Sequence, residues 1–432
     1  MSAAESKASF FRQSGWMVIA TVLMGGCMML VHSVTAPPRL LEEEYEVFAA
    51  MLKLQLLIAI PAAALQTIFA QQAAAAITEQ KERQLRSATR AFALAIFVIW
   101  GLVFAVILLK QTGIITTFTI TNPWTLYFSI GLVLSQLWLV MARGILQGKQ
   151  NFFGLGWTMI LDGFVRIAAL MAIVLMFRGQ SAGAMLAAVI GQGLALVFGL
   201  YWIRDVIRGP GEKFPMRDWL LQLLPLMGGT GAVLLLSSFD VPFIQATFEA
   251  GERKLYMAGQ NIGFALFQFT APLAMVMFPK IVQSAAKAEK SDALKLTLIS
   301  TAIMGGLAAV ASTLLPWLPL RVLYFKSPEM WQAAPLVAGF AWCMLLLTMA
   351  NVVVGGLIAG KRYAFIPCLM LLAGGYVFTM IQLRPWLPQL DSFEAYRIII
   401  RTMTAFNGAA LIIALWFAWG RKDQPVVLPA TS

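Results

Sequence analysis

The chain has 432 residues, of which 60% are hydrophobic and only 12% charged, with a mean hydropathy of +0.78. Soluble domains carry about 25% charged residues, so a water-soluble globular enzyme is excluded. The net charge of +12 is spread over many short loops instead of one patch, which excludes nucleic acid as its explanation.

The apolar residues come in blocks of roughly 18–25, long enough to cross a hydrocarbon core of about 30 Å. Twelve spans are predicted, and the first covers 14–36. Lys7 and Arg12 before it, and "VTA" before Pro37 after it, give it the outline of a signal peptide. Its apolar run exceeds the usual 7–15 residues, and a later segment repeats it, so it is read as an uncleaved span. His32, the only histidine, lies at its outer end and has no second histidine to share a metal. Span 2 (46–70) holds Lys53 and Pro61. Lys53 either snorkels to the surface or points into a cleft, and Pro61 removes a helix hydrogen bond and bends the axis.

Span 3 covers 88–109, and span 4 (123–147) runs into "GILQGKQ" at 144–150. Glycines four apart let helices approach where lipid gives no hydrophobic drive. The motif is not a phosphate-binding loop, which needs four residues between its glycines and Ser or Thr after the lysine. Span 5 (157–177) places Asp162 and Arg166 on one helix face. They read either as a self-neutralising pair or as a cavity-lining arginine oriented by a carboxylate that can carry a proton. Span 6 (183–203) leads to the linker "RDVIRGPGEKFPMRD" at 204–218.

Span 7 (219–239) is closed at its outer edge by Asp240, which alone reads as a solvated helix-end charge. Span 8 (255–278) contains Gln268 and Pro272, and spans at 294–316, 331–358, 363–382 and 399–420 follow, with Arg401 at the outer start of the last. Cys27, Cys343 and Cys368 all fall within spans and have no disulfide or zinc spacing. With the N-terminus inside, and the span-end charges Arg90, Arg143, Lys295 and Arg401 counted with the adjoining side, 20 of the 32 Lys and Arg lie on the inner side, 10 on the outer side, and Lys53 and Arg166 within spans. This is the positive-inside bias, and it places both termini in the cytoplasm.

Three landmarks repeat in the same order. "LMGG" occurs at 23–26 and 226–229, Tyr45 and Pro61 match Tyr256 and Pro272, and Gly144, Gly148 and Lys149 match Gly356, Gly360 and Lys361. An offset spanning six segments gives both copies the same orientation, a parallel repeat about an axis along the membrane normal. The expected architecture is all-α: an N-lobe at 1–203, a cytoplasmic linker at 204–218 and a C-lobe at 219–432, the lobes related by a pseudo-two-fold.

With "APPRLLEEEYEVFAA" (36–50), "RGILQGKQNFFG" (143–154), "DGFVRIAAL" (162–170) and "FDVPFIQATFEAGERKLYMAGQNIGFALFQFTAPLAMVMFPKI" (239–281), the chain resembles the multidrug/oligosaccharidyl-lipid/polysaccharide exporter superfamily. Within it, the O-antigen and polysaccharide flippases and their lipid II relatives are most similar. The resemblance implies a non-enzymatic flippase of the bacterial cytoplasmic membrane, a monomer whose partners are membrane lipid and polysaccharide-assembly proteins. Its cargo would be an undecaprenyl-type phosphate- or pyrophosphate-linked oligosaccharide. No cofactor is implied beyond a coupling ion, proton or sodium. Charges inside spans cost roughly 2.5–3.5 kcal/mol each and mark function. Lys53, Arg166 and Arg401 are therefore the substrate-binding candidates, joined by Gln268 as a polar side chain able to hydrogen-bond sugar hydroxyls, and Asp162 and Asp240 are the coupling or charge-pair candidates. An ion-coupled multidrug extruder is the nearest alternative. A membrane enzyme of polysaccharide assembly would need acid clusters and larger loops, and a non-transporting scaffold would leave the buried charges unexplained.

Overall fold

A computed structural model describes residues 3–35, 40–56, 58–117, 120–248, 253–286, 292–324 and 328–420. Among the described residues every regular element is a helix. Helices α1 (Ala3–Thr35), α2 (Glu42–Leu56), α3 (Ala59–Ala75), α4 (Glu79–Leu109), α5 (Gln111–Thr117) and α6 (Pro123–Gly148) come first. Then follow α7 (Phe152–Leu170), α8 (Gln180–Trp202), the short α9 (Arg204–Arg208), α10 (Met216–Ser238), α11 (Asp240–Thr247) and α12 (Arg253–Ala286). The chain continues through α13 (Ala293–Leu314), α14 (Trp317–Leu323), α15 (Ala334–Ala359), α16 (Ile366–Leu383) and α17 (Ser392–Leu415). Helix starts follow local chemistry. Thr78 accepts from the Lys81 amide at the head of α4, and Asn122 accepts from the Trp124 amide beside Pro123 at the head of α6. Each satisfies a backbone donor that the helix leaves free.

Eleven described helices are long and apolar enough to span a membrane, one fewer than the spans predicted. The missing one is span 2, which is divided into α2 and α3. Pro61, the third residue of α3, cannot donate back along the helix, and the ladder resumes with the Ala62 amide on the Ile58 carbonyl at 2.9 Å. Pro272 sits at the matching place in the other copy, yet α12 runs through it unbroken. The outward faces are what lipid requires. In α4, Leu94, Ile99, Leu102 and Val106 are exposed, while the backbone polar groups are satisfied inside the helix.

By contact the chain divides into two compact units, 1–230 with 271–293, and 231–270 with 294–432. The linker 204–218 thus packs with the first unit, and α10 and α12 each contribute to both. The first unit closes around Phe48 and Met51 of α2, Ile130 and Leu132 of α6, Leu170 of α7 and Met185 of α8. The second is centred on an edge-to-face knot in which Tyr256 meets Phe340 at 5.0 Å and Tyr396 at 5.3 Å, all three fully buried.

The glycine–lysine echo is conformational as well as literal. At the end of α6 the Asn151 amide bonds the Leu146 carbonyl at 2.8 Å, the Gln150 amide bonds Gln147 at 3.0 Å, and Gln150 is left-handed with φ 56°. At the end of α15, Arg362 bonds Leu357 and Lys361 bonds Ile358, both at 2.9 Å, and Lys361 has φ 56°. Both are Schellman closures. Their register places Gln150 opposite Lys361, one residue off the register in which the glycines match. The glycines also pack differently. A Cβ on Gly144 would lie 2.4 Å from the Gln66 carbonyl oxygen of α3, and one on Gly148 2.4 Å from that of Ala70. In the other copy a Cβ on Gly356 would meet only the end of Leu294, and one on Gly360 nothing closer than 3.5 Å.

Candidate functional site

The first unit buries an ionic cluster between α6 and α7. Thr158, Asp162 and Arg166 follow at four-residue intervals and share one stripe of α7. Arg166 Nη2 donates to Asp162 Oδ1 at 2.8 Å. From α6, Arg143 Nη2 donates to Asp162 Oδ2 at 3.3 Å and to the Thr158 carbonyl at 2.9 Å, while its Nε donates to Thr158 Oγ1 at 3.2 Å. The side chains of Arg143, Asp162 and Arg166 are only 14%, 9% and 12% exposed. Two guanidiniums therefore share one carboxylate, and the cluster carries one uncompensated positive charge away from bulk water. Breaking such a buried pair costs about 3–5 kcal/mol, so the arrangement is held firmly.

These three residues line a cavity of about 240 Å³ with Gln55, Gln136 and Gln192 among its other walls. That is far above the roughly 10–15 Å³ that admits one water. Gln192 donates to the Leu132 carbonyl at 3.0 Å and Ser135 Oγ at 2.9 Å, which fixes α8 to α6. Gln55 donates to the Ser129 carbonyl at 2.9 Å. Its Oε1 and the Nε of Arg166 are buried with no hydrogen-bond partner among the described residues. Such groups are costly to leave unsatisfied. The cavity thus has two arginines to one carboxylate in its wall, an unpartnered donor at Arg166 Nε and an unpartnered acceptor at Gln55 Oε1.

A second buried polar site lies in the other unit. Asp240, the first residue of α11, is fully buried. Its Oδ2 accepts from Tyr256 Oη at 2.9 Å, and that hydroxyl lies 3.5 Å from Met403 Sδ. Asp240 Oδ1 has no partner among the described residues. The expectation of a solvated helix-end charge is thereby corrected: Tyr256, 16 residues on, and α17 cover the carboxylate. Burial pushes the Asp240 carboxyl up to about 7, against the opposing pull of the Tyr256 hydrogen bond. No salt bridge to Asp240 occurs among the described residues, so of the two acids only Asp162 forms a charge pair.

The other sequence candidates are placed as follows. Lys53 lies in α2, and its side chain is outside the described residues, as is that of His32. Gln268 in α12 and Arg401 in α17 are exposed on helices of the second unit. Arg401 is the tenth residue of α17. Arg143 was not among the sequence candidates. It falls inside the predicted span 4 (123–147) but counts with the inner-side bases; α6 runs to Gly148 and holds it inside. The available signal was the glycine pair, since a helix able to carry Gly144 and Gly148 against α3 must still be packed at Arg143. Most of the uncharged polar residues bond to other helices: Gln66 to Gln147 at 3.2 Å, Asn261 to Tyr324 at 2.8 Å and Asn407 to the Cys343 carbonyl at 3.2 Å. The three cysteines are free, and no group of three metal-ligating side chains occurs among the described residues.

Fold and site together define a multi-pass helical membrane protein with the architecture of the MATE transporters, twelve helices in two lobes. The Vibrio cholerae MATE transporter VcmN, in a mutant form, superposes with a TM-score of 0.73 at 14% identity over 96% of this chain and 98% of that one. The eukaryotic MATE transporter AtDTX14 gives 0.70 at 11% identity over 94% and 96%. A MOP superfamily transporter from Pyrococcus furiosus, for which reverse polarity of the binding pocket suggests a different function, gives 0.68 at 13% over 94% of each chain. At these identities the likeness is one of fold. The chain itself belongs to the polysaccharide biosynthesis protein family, whose model matches residues 53–285. No curated protein matches the sequence.

Proposed function

We propose that this protein is a bacterial flippase that carries a lipid-linked oligosaccharide, joined through phosphate or pyrophosphate to an undecaprenyl-type carrier, across the cytoplasmic membrane by alternating access. The observation that carries this reading is the cluster of two arginines on one aspartate beside a cavity, with one guanidinium donor, Arg166 Nε, left without a partner among the described residues. The carrier's headgroup is anionic and cannot enter hydrocarbon alone, and the cluster offers it charge and donors in place of water. The family described as polysaccharide biosynthesis protein supplies the context. An extruder of cationic drugs would be expected to hold surplus acid in such a cavity, and here base is in surplus. Arg143 and Arg166 bind the phosphate, Asp162 orients both, and Lys53, Gln268 and Arg401 contact the cargo elsewhere on its path. Asp240, poised near neutral, is the proton-coupling candidate. Sodium remains the alternative ion. The excess of inner-side bases supports cytoplasmic termini.

The test is translocation of a labelled lipid-linked oligosaccharide in liposomes holding the purified protein. Arg166→Ala is expected to abolish transport and Arg166→Lys to retain a measurable fraction. Full activity with both Lys53 and Arg166 neutralised would reject their role.

A further inference from the structure

The end of α8 and the turn of α9 form a second basic hollow in the first unit, separate from the ionic cluster and independent of the transport reading. It has a volume of about 420 Å³ and is walled by Val197, Leu200, Tyr201, Arg204, Ile207 and Arg208. Arg204 and Arg208 stand one turn apart on α9 and are exposed. Neither has a carboxylate within ion-pair distance among the described residues, whereas the neighbouring Asp205 is taken by Lys149 at 2.6 Å. The Arg204 guanidinium lies over the Tyr201 ring, 4.5 Å from its centroid, which holds it against the hollow. Val206, on the opposite face of α9, is buried and fixes which way the arginines point.

Two further features say what fits there. An apolar stripe climbs α8 away from the hollow through Leu194 and Ile190, and Val197 and Leu194 are 64% and 46% exposed. The same end of the bundle carries a belt of aromatic rings, with Trp16 5.6 Å from Phe153, Phe153 6.2 Å from Trp202 and Trp16 6.1 Å from Trp157. Tryptophan and tyrosine gather at the headgroup level of a bilayer. The hollow therefore lies where phosphates are, and the stripe where acyl chains are.

We propose that this hollow binds one anionic phospholipid of the leaflet on the linker side, its phosphodiester on Arg204 and Arg208 and one acyl chain along α8. Two uncompensated guanidiniums select against a zwitterionic headgroup, whose ammonium would meet the second arginine. Occupancy ties α9, and through Asp205–Lys149 the end of α6, to the membrane surface.

Native mass spectrometry of the delipidated full chain in detergent, titrated with phosphatidylglycerol, phosphatidylethanolamine or glycerol 3-phosphate, tests this. Phosphatidylglycerol is expected to bind more tightly than phosphatidylethanolamine and to resist displacement by millimolar glycerol 3-phosphate. The Arg204→Gln/Arg208→Gln double variant should lose about 30-fold in affinity, the loss expected for two interfacial charges. Arg204→Lys/Arg208→Lys should restore most of it. Lys213→Gln/Arg217→Gln removes the same charge from exposed linker positions outside the hollow and should change binding little. The proposal is overturned if the glutamine pair binds like wild type, if the Lys213/Arg217 pair loses as much, or if glycerol 3-phosphate displaces the lipid.

Discussion

Asp240 is the residue whose environment departs furthest from its appearance in the sequence. Its carboxyl is pushed up to about 7 from the ordinary value of 3.8, so the folded state holds this proton more tightly than the unfolded chain. Its contribution to stability is fully present below about pH 4, falls as the pH rises, and is gone above about 7. Asp240→Asn removes that slope. Melting temperature measured in detergent between pH 4 and 8 should fall less for the variant than for wild type, with the variant the more stable by several degrees at pH 8. Parallel curves would show that Asp240 does not titrate in this range. The burial was not legible because its cover, Tyr256, Tyr376 and Met403, lies from 16 to more than 160 positions along the chain. The pairing of Asp162 with Arg166 was legible, because four residues on a helix is a fixed short distance. That Arg143 completes it was not, because Arg143 lies 19 positions from Asp162 on a separate helix, and sequence spacing does not say which faces of two helices meet.

At the level of helices, the glycine motif separates into two cases. Gly148 lies against the backbone of α3, where an added methyl would sit 2.4 Å from the Ala70 carbonyl oxygen and 2.6 Å from Ala73 Cβ. Gly148→Ala should destabilise the protein by about 1–3 kcal/mol, the usual cost of overpacking. Gly360, the C-cap of α15, has a negative φ and meets nothing closer than 3.5 Å, so Gly360→Ala should be close to neutral. Thermal unfolding of the two variants in detergent distinguishes them, and equal losses would contradict the packing described. The repeat itself was visible from a few letters because helix ends and close contacts constrain residue type strongly. Its divergence was not, because a glycine in the sequence does not say whether a neighbour is there. Span 2 shows the same limit. Pro61 announces a bend, but the division of span 2 just before Pro61 and the continuity of α12 through Pro272 depend on what surrounds each helix.

For the whole molecule, composition and span length were sufficient for fold class, since few arrangements satisfy backbone polar groups in lipid. Cargo is a matter of surplus charge inside the helices. The cluster on α6 and α7 has two bases to one acid, and the proposal of an anionic headgroup as cargo rests on that surplus. Uptake by liposomes holding the wild-type protein, compared side by side for a pyrophosphate-linked oligosaccharide lipid and a cationic dye under the same imposed proton gradient, tests it most directly. The anionic glycolipid is expected to be translocated, with the dye left outside. Extrusion of the dye with no movement of the glycolipid would contradict it.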